Sequence, residues 1–158
     1  DVHYDSTNIR KAIFDCSVSI SKDNFMWCVG FENLQDKLNA CYGKNYEIHV
    51  AEDGLYAMDF LKRQGQYHAA PRPDIILLDL NMPRKNGLEV LMAVKTDSEF
   101  KYIPTLVYTS SVVKEDVKAA YNNFANGYIK KSVDFDECIR IAKSINDFWF
   151  SVSILYEP

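Results

Sequence analysis

Short apolar runs and stretches of helical spacing alternate along most of the chain. Ile75, Ile76, Leu77 and Leu78 form an unbroken apolar run between Asp74 and Asp79, the pattern of a strand covered on both faces. Three further runs are β-branched or alternate apolar with small or polar residues: residues 16–21 (CSVSIS), 46–50 (YEIHV) and 103–109 (IPTLVYT). A fifth strand is expected at 127–131 (GYIKK). Helical spacing predicts helices over 25–42, after the Glu52-Asp53-Gly54 turn with Leu55, Met58, Phe60 and Leu61 as its apolar set, from Gly87 to about Thr96 with Asn86 as its cap, over 114–122, and over 134–150. Residues 1–15 carry little pattern beyond Ile9, Ala12 and Ile13, which fit one side of a short helix. Five strands alternating with five helices predict a doubly wound α/β domain with a five-stranded parallel sheet. The expected organisation is an N-terminal extension (1–15), one domain (16–150) and a C-terminal tail (151–158).

Composition narrows the function classes. Hydrophobic residues make up 47% and charged residues 25%, and the net charge is -4, so the clustered cations of a nucleic-acid surface are missing. No apolar stretch is long enough to span a membrane and the start does not read as a signal peptide, so a cytoplasmic protein is expected. Four cysteines, Cys16, Cys28, Cys41 and Cys138, are scattered without a CxxC pair, which favours free thiols over a zinc site. His49 reads as a half-exposed strand residue, since no second His or Cys lies at ligand spacing.

Candidate chemistry gathers at the strand ends. In a parallel sheet, the residues closing the strands share one edge, where ligands of open α/β folds bind. That edge would hold Asp23, Asp79, Thr109 and Lys131. Taken alone, Asp79 could simply open a turn before the loop of Asn81, Pro83, Asn86 and Gly87. Two carboxylates near a backbone carbonyl, however, suit Mg²⁺, while a lysine and a hydroxyl suit phosphoryl oxygens. The set matches an aspartate that accepts a phosphoryl group as an acyl phosphate.

In DIILLDLNMPRKNG, with TSS and GYIKKSVDF downstream, the chain resembles the receiver domains of two-component response regulators, over about residues 16–150. The resemblance implies a (βα)5 flavodoxin-like fold and a signalling domain rather than an enzyme, capable at most of its own phosphorylation and dephosphorylation. It implies Asp79 as phospho-acceptor and Asp23, Asp79 and the backbone carbonyl of Asn81 as Mg²⁺ ligands. Thr109 would be the switch hydroxyl, Tyr128 the aromatic that moves with it, and Lys131 the phosphate-pairing lysine. YEIHVAEDG, NGLEVL, the IP before the fourth strand and SINDFWFSV are similar to single-domain regulators that partner cyanobacterial phytochromes and bacteriophytochromes. A histidine kinase, such as a phytochrome, is the implied partner.

Two positions depart from the family pattern. Lys22 stands beside Asp23 where two acids are usual, and a cation there would weaken Mg²⁺ binding or pair with Asp79. The alternative reading is therefore a pseudo-receiver, a binding module in which Lys22 holds Asp79 unphosphorylated. Ser132 replaces the proline that commonly follows the lysine, so the Lys131-Ser132 bond is expected to be trans and the aim of Lys131 to differ. A phosphohydrolase with an aspartyl nucleophile would want an acid where Asn81 stands. Phe148, Trp149 and Phe150 put aromatics on more than one side of the last helix, as packing of the chain end or as a homodimer interface through that helix and the tail.

Overall fold

The computed structural model describes residues 10–15, 46–82 and 84–156. Five parallel strands form one sheet: β1 (Arg10–Asp15), β2 (Tyr46–Val50), β3 (Ile75–Leu78), β4 (Thr105–Thr109) and β5 (Gly127–Lys130), in the order β2-β1-β3-β4-β5. The described helices are α1 (Gly54–Leu61), α2 (Gly87–Thr96), α3 (Lys114–Asn122) and α4 (Phe135–Asn146). The chain after α4 widens into a π-helical turn over Asp147–Val152.

The four residues of β3 are all buried, as their unbroken apolar run required. Alternation along the strand divides them between two cores. Ile76 and Leu78 face a cluster with Met58, Phe60 and Leu61 of α1, Val90, Leu91 and Val94 of α2, and Ala120 of α3. Ile75 and Leu77 face the other side, with Leu106 of β4, Phe150, and the partly buried Ala142, Ile145, Trp149 and Leu155. Asn86 starts α2 with a capping box, its side chain accepting from Glu89 N while Glu89 accepts from Asn86 N.

The first strand corrects the sequence reading. Arg10–Asp15, expected as an extension with a short helix, is β1, seated between β2 and β3. Neighbours on both sides supply its ladder, so tertiary pairing outweighs a weak local pattern. The strand expected at 16–21, the helix at 25–42, Lys22 and Asp23 lie outside the described residues. Cys138 is disulfide-bonded, which corrects the expectation of a free thiol at that position; Cys16, Cys28 and Cys41 lie outside the described residues. Among the described residues, no helix is long and apolar enough to cross a membrane.

Below the sheet, at the edge opposite the strand ends, Lys95 donates to the carbonyls of Lys101 (3.3 Å) and Ile103 (2.8 Å) and to Asn126 Oδ1 (2.8 Å). All three acceptors are neutral, and desolvation lowers the Lys95 pKa to about 8 from 10.5. Between these values the unfolded chain binds the proton more tightly, so this contribution to stability grows as pH rises through the window and is lost as pH falls through 8. The stability advantage of the wild type over Lys95→Met is therefore expected to widen from pH 8 towards pH 10.5 in denaturant titrations; a gap that narrows would contradict it.

Candidate functional site

The strand order reverses between β1 and β3, and this is where open α/β sheets place their ligands. Asp79 follows the last residue of β3 and is 5% exposed. Its Oδ2 accepts a hydrogen bond from Lys131 Nζ at 2.6 Å in an ion pair whose two side chains are both nearly buried. Its Oδ1 accepts from the backbone N–H of Asn81 at 3.0 Å. Lys131 is set in place by its own backbone, whose N–H donates to the Thr109 carbonyl at 2.8 Å and continues the β4 to β5 ladder by one residue. The Lys131 ammonium also lies 5.6 Å from the ring centre of Tyr108.

No cis peptide bond occurs among the described residues, in line with the trans Lys131-Ser132 expected. The lysine nevertheless reaches Asp79, so the substitution at Ser132 does not redirect it. Ser132 serves the helix that follows: its hydroxyl donates to Glu137 Oε2 at 2.7 Å and accepts from Asp134 N at 3.1 Å.

Thr109, at the end of β4, is fully buried. Its hydroxyl accepts from Asn81 Nδ2 at 3.4 Å and from Ser111 N at 3.3 Å, which joins it through Asn81 to the Asp79 loop. Tyr128 of β5 donates from its hydroxyl to the Ser111 carbonyl at 3.1 Å. Burial raises the pKa of the Tyr128 phenol, a contact to Ser111 opposes this, and the charges of Asp116 and Asp79 add to the rise, so the group stays a protonated donor. Ser111 also donates from its hydroxyl to Asp116 Oδ2 at 2.5 Å, fixing the loop that leads into α3.

Asp79, Asn81, Thr109, Tyr128 and Lys131 are thus brought together as the sequence suggested. Asp23 lies outside the described residues. The acid whose backbone closes β1 is Asp15, paired with Leu78 one residue before Asp79. Sequence reading also missed Ser111 and Asp116; the only signal was the hydroxyl run after β4 followed by an acid in the first turn of α3. Among the expected interface aromatics, Phe150 is 5% exposed and packs on Ile75, Leu77 and Leu106, so it belongs to the core. Trp149 is partly buried beside it, and Phe148 remains exposed with its ring edge-on to Trp149. Of the two readings left open for these aromatics, packing of the chain end holds for Phe150, which sits in a π-helical turn wider than regular helical spacing.

Chemically, the arrangement is a buried carboxylate with one oxygen held by an ammonium and the other by a backbone amide. A hydroxyl lies on a strand end beside it. Among the described residues, no group of three or more His, Cys, Asp or Glu side chains is placed to hold a metal ion.

Comparisons with known proteins agree with this geometry. The sequence model of the response regulator receiver domain matches residues 32–143. The chain is 40% identical over 111 residues to response regulator Rcp1 of Synechocystis sp., covering 70% of this chain and 76% of that protein. Its fold is similar to the crystal structure of the phosphorylated cyanobacterial phytochrome response regulator RcpA, with a TM-score of 0.80 and 33% identity over 95% of this chain and 100% of the other. It is also similar to the Mn²⁺-bound form of Rcp1, with a TM-score of 0.76 and 33% identity over 93% of this chain and 99% of the other. The chain therefore belongs to the response regulator receiver domain family, as a receiver of two-component signalling similar to phytochrome response regulators.

Proposed function

We propose that Asp79 accepts a phosphoryl group from a histidine kinase of the phytochrome type, and that the product is read by protein contact in the cytoplasm. The observation that carries this reading is the Lys131 Nζ to Asp79 Oδ2 pair at 2.6 Å, both side chains withdrawn from water. In the transfer, an Asp79 carboxylate oxygen forms a bond to phosphorus as the bond from phosphorus to the kinase histidine nitrogen breaks, leaving an acyl phosphate. Lys131 then exchanges part of its contact with the carboxylate for a phosphoryl oxygen, a charge-assisted hydrogen bond of the stronger kind. Thr109 offers its hydroxyl to another oxygen, which draws on its contacts with Asn81 and Ser111 and so bears on Tyr128. The face built from α3, β5 and α4 carries the consequence outward. No external substrate is turned over.

The donor set fits a hard divalent cation such as Mg²⁺, which takes one or two carboxylates and keeps several waters. Asp79, the backbone carbonyl of Asn81 and a carboxylate at the end of β1 would hold it, and when bound it supplies neutralising charge to the phosphoryl oxygens. The β1 register favours Asp15 for that second carboxylate. Mg²⁺ titrations of Asp15→Asn and Asp23→Asn distinguish the two acids: Asp15→Asn is expected to lose affinity and Asp23→Asn to retain it, and the reverse would return the role to Asp23. The same reading makes the chain a homodimer through Phe148, Trp149 and the exposed tail residues Val152 and Ile154. A monomer by light scattering with and without phosphodonor would contradict the dimer.

The reading as a whole is tested by incubating the chain with Mg²⁺ and a small phosphodonor and weighing it intact. A mass gain of one phosphoryl group that needs Mg²⁺ is expected. No gain under any condition would overturn the reading in favour of the pseudo-receiver.

A further inference from the structure

Leu80–Asn86 joins Asp79 to α2, and both ends of this loop are fixed. Asn81 N donates to Asp79 Oδ1, Gly87 N donates to the Leu80 carbonyl at 3.2 Å, and Leu80 and Met82 are buried in the core. The middle of the loop is held differently. Arg84 takes a left-handed conformation (φ 61°) and sends its Nε and Nη2 to Oδ2 of Asp53, with its guanidinium carbon 4.5 Å from the ring centre of Tyr56. A long side chain adopts that backbone conformation at a cost, which the ion pair and the ring contact offset.

Asp53 divides its two oxygens between two tasks. It is 3% exposed, and its Oδ1 caps α1 by accepting from Leu55 N at 2.8 Å and Tyr56 N at 3.1 Å. Oδ2 is left for Arg84. The loop backbone itself lies against the start of α1, since a Cβ added at Gly54 would come within 2.6 Å of the Lys85 carbonyl.

We propose that Arg84 is a positioning residue: its clamp on Asp53 holds the loop that carries the Asn81 carbonyl, and so sets the divalent-cation affinity of the Asp79 site. The inference rests on the proposed role of Asp79 and Asn81 in holding Mg²⁺. Asp53→Asn separates capping from clamping, because asparagine caps a helix as well as aspartate does yet gives up the charge that Arg84 meets. Mg²⁺ affinity of the full chain by calorimetry, with amide hydrogen exchange along the loop, is the test.

Arg84→Ala and Asp53→Asn are each expected to weaken Mg²⁺ binding about tenfold, the lower end for residues that orient a metal ligand. The double variant should be no weaker than either single one. Arg84→Lys should recover only part of the loss, since an ammonium cannot reproduce the planar contact with Tyr56 and Asp53. The amides of Asn81, Met82, Arg84 and Lys85 should exchange faster in Asp53→Asn, while those of Leu55 and Tyr56 stay protected. Wild-type binding with unchanged affinity in both single variants would overturn the clamp alone. Failure of the wild type to bind Mg²⁺ would overturn the site reading, and the clamp's role in affinity with it.

Discussion

Asp79→Asn is expected to abolish phosphoryl uptake and keep the fold, whereas Asp79→Ala is expected to abolish uptake and destabilise the protein. Asparagine matches aspartate in size, and its single amide oxygen can keep accepting from Lys131 Nζ, giving up the contact with Asn81 N because its other terminal atom is a donor; the amide does not form an acyl phosphate. Alanine leaves the Lys131 ammonium, whose side chain is only 8% exposed, without its carboxylate. Breaking a buried pair by removing one partner costs about 3 kcal/mol or more. For a chain of this length that is a fall of roughly 10 °C in Tm. Intact mass after phosphodonor treatment and thermal melts of the two variants check both halves. Residual labelling of Asp79→Asn, or equal melting temperatures for the two, would contradict the assignment.

Gly87→Ala is expected to be the most damaging small substitution near the site. A Cβ at Gly87 would stand 2.7 Å from Leu80 Cα and 2.8 Å from the carbonyl carbon of Asp79, and closer still to the Asp79 carbonyl oxygen. These atoms are all backbone, so no side chain can swing aside. Relief requires moving the backbone of Asp79 and Leu80, and with it the proposed phospho-acceptor and the neighbouring Asn81. A loss of about 3 kcal/mol is expected, the upper end for overpacking, with slower phosphoryl uptake. Gly65 is the contrast: it has a left-handed φ of 57° and open space around it. Gly65→Ala should cost only about 1 kcal/mol, through conformation alone, and leave uptake unchanged. Denaturant titrations of the pair check the order, which the opposite ranking would contradict.

These two residues also mark what could be read from the sequence. Asp79 was legible because an apolar run buried on both faces ends on it, and Thr109 and Lys131 because parallel strands bring their ends to one edge. Gly87 was legible as a loop residue, but not its contact with the Asp79 carbonyl, which depends on the path of the loop. β1 was misplaced for a related reason. Arg10-Lys11-Ala12-Ile13-Phe14-Asp15 opens on two cations and has a short apolar run, while CSVSIS shows the better local alternation. Pairing with β2 and β3, which no local pattern reports, selects Arg10–Asp15.

The Arg84 to Asp53 pair joins residues far apart in the chain, and the sequence signal, an acid and a glycine before an apolar helix, announced only a turn. Phe150 needed the π-helical turn to be known before its burial could be read. The gathering of Asp79, Thr109 and Lys131 at the strand ends was thus visible from residue types and order, whereas the contacts that orient them were not.

Peptide mapping of the chain after reaction with Mg²⁺ and a small phosphodonor tests the central claim most directly, with borohydride reduction to mark the acyl phosphate. The expected result is one modified residue, Asp79, in the peptide that carries IILLDLNMPR. Modification at Asp15, Asp23 or Asp53 with Asp79 untouched, or no reducible acyl phosphate at all, would contradict it.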